Sequence, residues 1–240
     1  MTNGRWSNRC SPPPQHLGRP RTDLRRILNA LLYVAKAGCQ WRLLPKEFPA
    51  WQTVYHVFRK WAREHVWEAL NAWLRDLVRG PAGKRSRPTA AILDSQSVKS
   101  DRHGGAVGYD AAKKIKRRKR HLLVDTLGLL LGVHVTPAST PERAGAQPLL
   151  ARVLPWSAWL RLLWVDGGYT GTVFAAWVCG LRTKLAVTVV KHSDKASGFT
   201  VLARRWVVER TFGWLMRHTA ASSATTRPPL PAPRLSSSSP

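Results

Sequence analysis

A mixed α/β domain behind a helical N-terminal region is the fold class the sequence predicts, and three observations carry it. Apolar residues recur at helical spacing from Leu24 to about Val78. Gly80 to Pro88, rich in Gly, Pro and Arg, then breaks the pattern as a linker would. Beyond it the apolar residues come in short strand-length blocks, successive at first and later alternating with helical stretches.

Taken in order, residues 1–21 are rich in Pro, Gly, Arg and Ser and are expected to be poorly ordered. Thr22-Asp23 offers an N-cap for a helix from Leu24 to Ala37, whose Leu24, Ile27, Leu28, Leu31, Leu32 and Ala35 recur at helical spacing, and Gly38 stops it. After Pro45 and Pro49 a second helical region is predicted from about Gln52 to Val78, with an aromatic-rich stripe that includes Phe58, Trp61, Trp67 and Trp73. It reads either as a small bundle with a Trp core or as a helix-turn-helix-like DNA contact module; no diagnostic turn pattern decides. Ala90–Asp94 is a strand. His121–Val124 and Leu129–Val135, joined by Asp125-Thr126-Leu127-Gly128, form a hairpin. A short helix covers Gln147–Val153 with Pro148 in its first turn. Leu162–Asp166 is a buried strand, followed by a helix near Val173–Val178, a strand over Leu185–Val190 and a helix over Arg204–Arg217. From Thr219 to Pro240 only Ala, Ser, Thr, Pro, Leu and Arg occur, a composition that builds no packed element.

Charge narrows the partners. Thirty-nine Lys and Arg against 13 Asp and Glu give a formal net charge of +26. Such a field attracts polyanions, nucleic acid first, although a ribosomal or cationic membrane-surface protein would share it. Twelve Trp and 44% hydrophobic residues argue against a purely disordered basic tail. Cys10, Cys39 and Cys179 are widely spaced and read as reduced thiols, not as a zinc site or disulfide framework. No apolar run approaches the roughly 18 residues a membrane span needs. With no apolar signal core at the N-terminus either, a cytosolic chain is expected.

Scarce acids can be weighed one by one. Asp23 is explained by capping, and Glu47, Glu64, Glu68 and Asp76 by surface pairing in the helical region. Asp125 suits a hairpin turn. Asp101, Asp110, Glu142 and Asp194 fall in loops, most of them near Lys or Arg. Asp94, Asp166 and Glu209 remain. The first two each end an apolar strand, at the sheet edge where α/β layers bind ligands. On neighbouring strands they would repel until one protonated, whereas a hard cation such as Mg2+ makes them an oxygen ligand set. Glu209 supplies a third carboxylate if Trp206, Phe212 and Leu215 turn its helix toward the sheet. Three unrelated surface acids is the competing reading, and spacing alone does not separate the two.

Lys113, Lys114, Lys116, Arg117, Arg118, Lys119 and Arg120 put seven bases in eight positions just before the hairpin. Contact with a phosphate backbone is the favoured reading; a solvated charge run and a nuclear-localisation patch are the others. Arg204, Arg205 and Arg210 flank Glu209 and read as phosphate contacts or as ordinary helix surface. His121 and His134, in apolar strands, read as packed histidines.

These residues bring a family into view. Gly38-Cys39-Gln40-Trp41-Arg42-Leu43-Leu44-Pro45, Phe48-Pro49-Ala50-Trp51, Ile92-Leu93-Asp94-Ser95-Gln96-Ser97-Val98-Lys99, Val165-Asp166-Gly167-Gly168-Tyr169 and Arg204-Arg205-Trp206-Val207-Val208-Glu209-Arg210 stand in the order of its motifs. Over residues 18 to 217 the chain resembles bacterial insertion-sequence transposases of the Asp-Asp-Glu (DDE) type, insertion-sequence-five group. The resemblance implies a ribonuclease-H-like mixed sheet with flanking helices over 90–218, a DNA-binding role for the helical region 22–79, a linker at 80–89, and an aberrant tail over 219–240. It implies that Asp94, Asp166 and Glu209 are the catalytic, metal-binding triad, with Mg2+ (or Mn2+ in its place) serving two-metal phosphoryl transfer. Element ends would be cut and joined to target DNA.

Arg205 matches the arginine of the family's catalytic-helix signature, whereas its tyrosine and lysine positions hold Leu202 and Met216. The implied partner is double-stranded DNA, bound by a homo-oligomer in the bacterial cytoplasm, at the nucleoid, with no membrane. Because the likeness stops near His218, an inactive truncated remnant retaining only DNA binding is the alternative. A Tyr or Ser recombinase fits poorly, since none of the four tyrosines has a nucleophile's context.

Overall fold

A computed structural model describes residues 22–99, 107–110, 115–190 and 206–217. The expectations for 1–21 and 219–240 lie outside the described residues. The chain divides into two compact units: one takes the residues up to Pro88 and those from Thr211, and the other holds Thr89–Arg210.

The first unit is helical. Helix α1 (Leu24–Ala37) starts where Asp23 caps it, Oδ1 accepting from the Arg25 amide at 2.9 Å, and ends at Gly38 in the left-handed region, φ 68°. Both ends follow the sequence. The second helical region does not, because it is two helices, α2 (Trp51–Arg63) and α3 (Val66–Arg79), hinged at His65 with φ 55°. The break lets Trp67 return onto α2, its ring 5.3 Å from Trp61 and 5.7 Å from Phe58, with its indole N–H donating to the Phe58 carbonyl. Ile27, Ala30, Leu31 and Val54 are the buried centre, with Trp41, Trp61 and Trp67 packed around them.

The second unit is a six-stranded mixed sheet with helices. In chain order it runs β1 (Ala90–Lys99), β2 (Gly108–Asp110), β3 (Ile115–Asp125), β4 (Leu130–Pro137), α4 (Glu142–Val153), β5 (Leu162–Val165), α5 (Thr172–Leu181), β6 (Ala186–Val189) and the start, to Arg210, of α6 (Trp206–Met216). The strand order is β2-β3-β1-β5-β6, with β4 also on β3. β3 is antiparallel to β1 and β4, whereas β1, β5 and β6 are parallel.

Three expectations are corrected here. β1 and β3 run well beyond their apolar blocks, because Gln96 and Ser97 pair with Arg120 and Lys119 across the ladder and polar residues extend both strands. Helix α4 begins at Glu142, so Pro148 lies inside it rather than in its first turn, and Glu142 is helical rather than in a loop. Asp110, also read as a loop residue, ends the short strand β2.

Asp125 behaves as expected, buried in the β3–β4 turn with Oδ1 accepting from the Leu127 and Leu129 amides at 2.8 and 2.9 Å. The core lies between the sheet and helices α4 and α5: Ala91, Leu93, Leu123, Leu163 and Val165 meet Ala146, Leu149, Leu150, Phe174 and Val178. Among the described residues no helix is long and apolar enough to cross a membrane.

Candidate active site

Ile92 pairs with Trp164 in the parallel ladder of β1 and β5. Asp94 and Asp166 each follow that rung by two residues, Asp94 still within β1 and Asp166 just past the end of β5. Alternation sets the face of Asp94: Ala91 and Leu93 point into the core under α4, which leaves Asp94 for the opposite face.

Asp94 does not end its strand, as the apolar pattern implied; it stands two residues past the last rung shared with β5. β1 continues to Lys99 after β5 has stopped at Val165, so the acid stands where the sheet opens. It is only 8% exposed, and its Oδ1 accepts from the Ser95 amide at 2.7 Å. Asp166 caps the 3-10 turn Gly167–Tyr169, Oδ1 accepting from the Gly168 amide at 3.0 Å.

Glu209 is exposed in the first turn of α6. Its neighbour Arg210 donates to the Leu127 carbonyl at 2.9 Å, in the turn just past Asp125, which pairs with Ala91. Asp94 stands farther along β1, roughly 10 Å by strand rise. Among the described residues no group of three or more His, Cys, Asp or Glu is placed to hold a metal ion. Asp94 and Asp166 are thus brought to neighbouring strands, and Glu209 is not gathered with them.

The basic run does not stop short of the hairpin: from Lys116 to Arg120 it is part of β3. Arg118, Lys119 and Arg120 are 3%, 8% and 0% exposed. Lys119 Nζ donates to the Thr140 carbonyl at 3.0 Å and Arg120 to Gln96 Oε1 at 3.1 Å. Burial lowers the pKa of both Arg118 and Arg120 from the ordinary arginine value. Lys119 and Arg120 are thus engaged within this unit. Arg117 is half-buried. Lys113, Lys114 and Arg205 lie outside the described residues, and Lys116 is described by its backbone alone.

His121 is fully buried, as its apolar surroundings implied, with Nε2 3.0 Å from Thr136 Oγ1. Burial first, then Lys119 and His134, hold its pKa down to about 4. His134, half-buried, is lowered by burial and by Arg152.

Two residues that sequence reasoning passed over sit beside the acids. Tyr169 is 1% exposed, and burial first, then Glu142, Asp94 and Asp166, push its phenol well above the ordinary range. Glu142, in the first turn of α4, accepts from Ser95 Oγ at 2.9 Å through Oε1. Its signal was available: Thr140-Pro141-Glu142 reads as a helix start, with Pro before it and an acid in the first turn.

The chain resembles known sequences in both units. The family described as "Transposase DDE domain" matches residues 85–227. A second, described as "Putative transposase of IS4/5 family", matches residues 6–71. No curated protein matches the chain. Among solved structures it is similar to one described as "CryoEM structure of simian T-cell lymphotropic virus intasome in complex with PP2A regulatory subunit B56 gamma". That likeness has 19% identity and a TM-score of 0.35 over 54% of this chain, too distant to bear on function. The chain spans 39% of the length of that protein.

Proposed function

Because the chain belongs to the transposase family defined by the DDE domain, we propose that it cuts the ends of an insertion sequence of the insertion-sequence-five group and joins them to target DNA, with Asp94, Asp166 and Glu209 as its catalytic acids. The observation that chiefly supports this reading is the parallel pairing of β1 with β5, whose last rung, Ile92 with Trp164, each of Asp94 and Asp166 follows by two residues. Their donor chemistry fits a hard divalent cation: carboxylate oxygens beside the small residues Gly167 and Gly168, with a buried phenol next to them. Mg2+, or Mn2+ in its place, would supply Lewis-acid activation of an oxygen nucleophile and neutralise charge at the phosphate.

In this reading the protein's own groups hold and orient. Asp94 is fixed through its Ser95 contact and Asp166 through Gly168, so neither side chain has to be ordered when substrate arrives. Glu209 joins them on engagement of DNA, since apo geometry at catalytic sites is often loose. The +26 net charge draws the duplex in. Phosphate contacts fall to Lys113, Lys114, Lys116, Arg117 and Arg205 and to the helical region, whose DNA-binding role is part of the proposal, as are a homo-oligomer on DNA and a bacterial, nucleoid-associated setting.

A second reading, a DNA-binding protein without chemistry, is favoured by one observation, that the three acids do not converge as they stand. Nicking of supercoiled plasmid in Mg2+, run beside a gel-shift assay, separates the two. The first reading expects nicking by the full chain, abolished in Asp94→Asn, Asp166→Asn and Glu209→Gln, with DNA binding retained in all three. Undiminished nicking by Asp166→Asn overturns the assignment of acids. DNA binding with no nicking by the unaltered chain supports the second reading.

A further inference from the structure

Arg143 is the second residue of α4, and its exposed side chain clasps the turn that follows β5. Its Nε donates to the Gly168 carbonyl at 3.1 Å. Its Nη1 lies over Gly171, where an added Cβ would come within 3.3 Å of it. The guanidinium therefore spans from Gly168 to Gly171 on the turn that Asp166 opens. On the other side its chain neighbour Glu142 accepts from the hydroxyl of Ser95, the residue after Asp94, at 2.9 Å. The first turn of α4 thus fixes one positive charge in the surroundings of both acids.

Three features of this arginine point to an anionic ligand. It forms no ion pair among the described residues, although the turn it clasps begins with Asp166 and Glu142 precedes it in the chain. An arginine placed only to balance the protein's own acids would pair with one of them. Next, its guanidinium is held through Nε, which leaves the outer donors of a planar fork toward solvent, and such a fork matches the oxygens of a phosphate. Because the side chain is already anchored, less of its roughly 2 kcal/mol of rotamer entropy is left to lose on binding. Last, the surface beside it is low. Gly167 and Gly168 are exposed, and a Cβ at Gly167 would meet nothing within 4 Å, so a DNA backbone can come close. The place agrees: α/β sheets take their ligands at the carboxyl ends of parallel strands, where this turn lies.

We propose that Arg143 binds a backbone phosphate of the DNA strand presented to Asp94 and Asp166, a contact separate from the basic run and from the arginines flanking Glu209. It positions the strand and reads no sequence. The inference rests on the reading of those two acids as the DNA-cutting site.

Two measurements on the full chain test it. Affinity for a short DNA duplex falls with salt, and the slope of log affinity against log salt is about −0.9 for each phosphate contact. Arg143→Gln is expected to make that slope shallower by about 0.9, whereas Arg143→Lys, which keeps the charge, holds the parental slope. Phenylglyoxal, followed by peptide mass spectrometry, is expected to label Arg143 in the free protein and to label it severalfold less when duplex is bound. A folded Arg143→Gln with the parental slope, or equal labelling of Arg143 with and without DNA, overturns the contact. So does a slope that drops equally in both variants, as a turn that had merely lost its clasp would give. If Arg143→Gln does not fold, labelling of the unaltered chain decides. Mg2+-dependent nicking separates this inference from the reading beneath it. A chain that nicks while Arg143 is labelled equally with and without DNA keeps the catalytic acids and loses only this contact. Protection of Arg143 in a chain that never nicks keeps the contact and removes the chemistry.

Discussion

Gly145 sits on α4 with the fully buried ring of His121 directly beneath it. A Cβ at position 145 would overlap His121 Nε2 and Cε1 and come within 3.0 Å of Cδ2. The ring cannot swing clear, because it is 0% exposed and Nε2 is engaged with Thr136 Oγ1 at 3.0 Å. Gly145→Ala therefore sets two opposing terms against each other. Helix propensity favours Ala by about 1 kcal/mol. Overpacking a filled core costs roughly 1–3 kcal/mol, and loosening the His121–Thr136 hydrogen bond adds about 1 kcal/mol more.

The net expectation is a loss of about 1–3 kcal/mol, read from urea denaturation as a lower midpoint at unchanged slope. Amide exchange over residues 142–153 assigns the loss to this unit. Truncating the ring should remove the conflict, so in a His121→Ala background the same substitution should cost at least about 1 kcal/mol less. A Gly145→Ala protein more stable than its parent, as an open helix surface would allow, refutes the close approach of α4 to β3. So does an equal cost in both backgrounds.

Other consequences follow from the same unit. His121 has a folded pKa of about 4 against an ordinary value of 6.5, so the unfolded chain binds the extra proton between those values. Stability should then be complete above about pH 6.5 and fall by up to about 3 kcal/mol as pH drops toward 4. Urea midpoints across that window check this, and His121→Gln should flatten the curve. Asp125→Ala strips two half-buried amides of their shared acceptor and should cost about 2 kcal/mol, whereas Asp125→Asn, which keeps an acceptor oxygen, should cost less than half of that. Thermal melts of the two variants side by side make the comparison.

Local chemistry was the legible part. Asp23 and Gly38 bound α1 as their side chains dictate, and Asp125 marks its turn, because capping and turn residues act on neighbours a few positions away. The break at His65 was hidden, since the left-handed backbone there is taken by a residue other than glycine and is held by Trp67 packing on Trp61. The full lengths of β1 and β3 were hidden by charge: Arg118, Lys119 and Arg120 look like a solvated run, yet they are buried in mid-sheet by pairing with β1.

At the site, Asp94 and Asp166 could be singled out from scarcity and apolar context, but their adjacency depends on β5 returning beside β1, a long-range event. Glu142 was set aside because it meets Ser95 across 47 positions, a contact no local pattern announces.

Whether Asp94 and Asp166 serve one cation is tested most directly, and without any DNA, by anomalous scattering from a Mn2+-soaked crystal. The prediction is a peak at coordination distance, about 2–2.5 Å, from a carboxylate oxygen of each residue. Mn2+ bound elsewhere in the protein, with both side chains still turned onto the Ser95 and Gly168 amides, would contradict it.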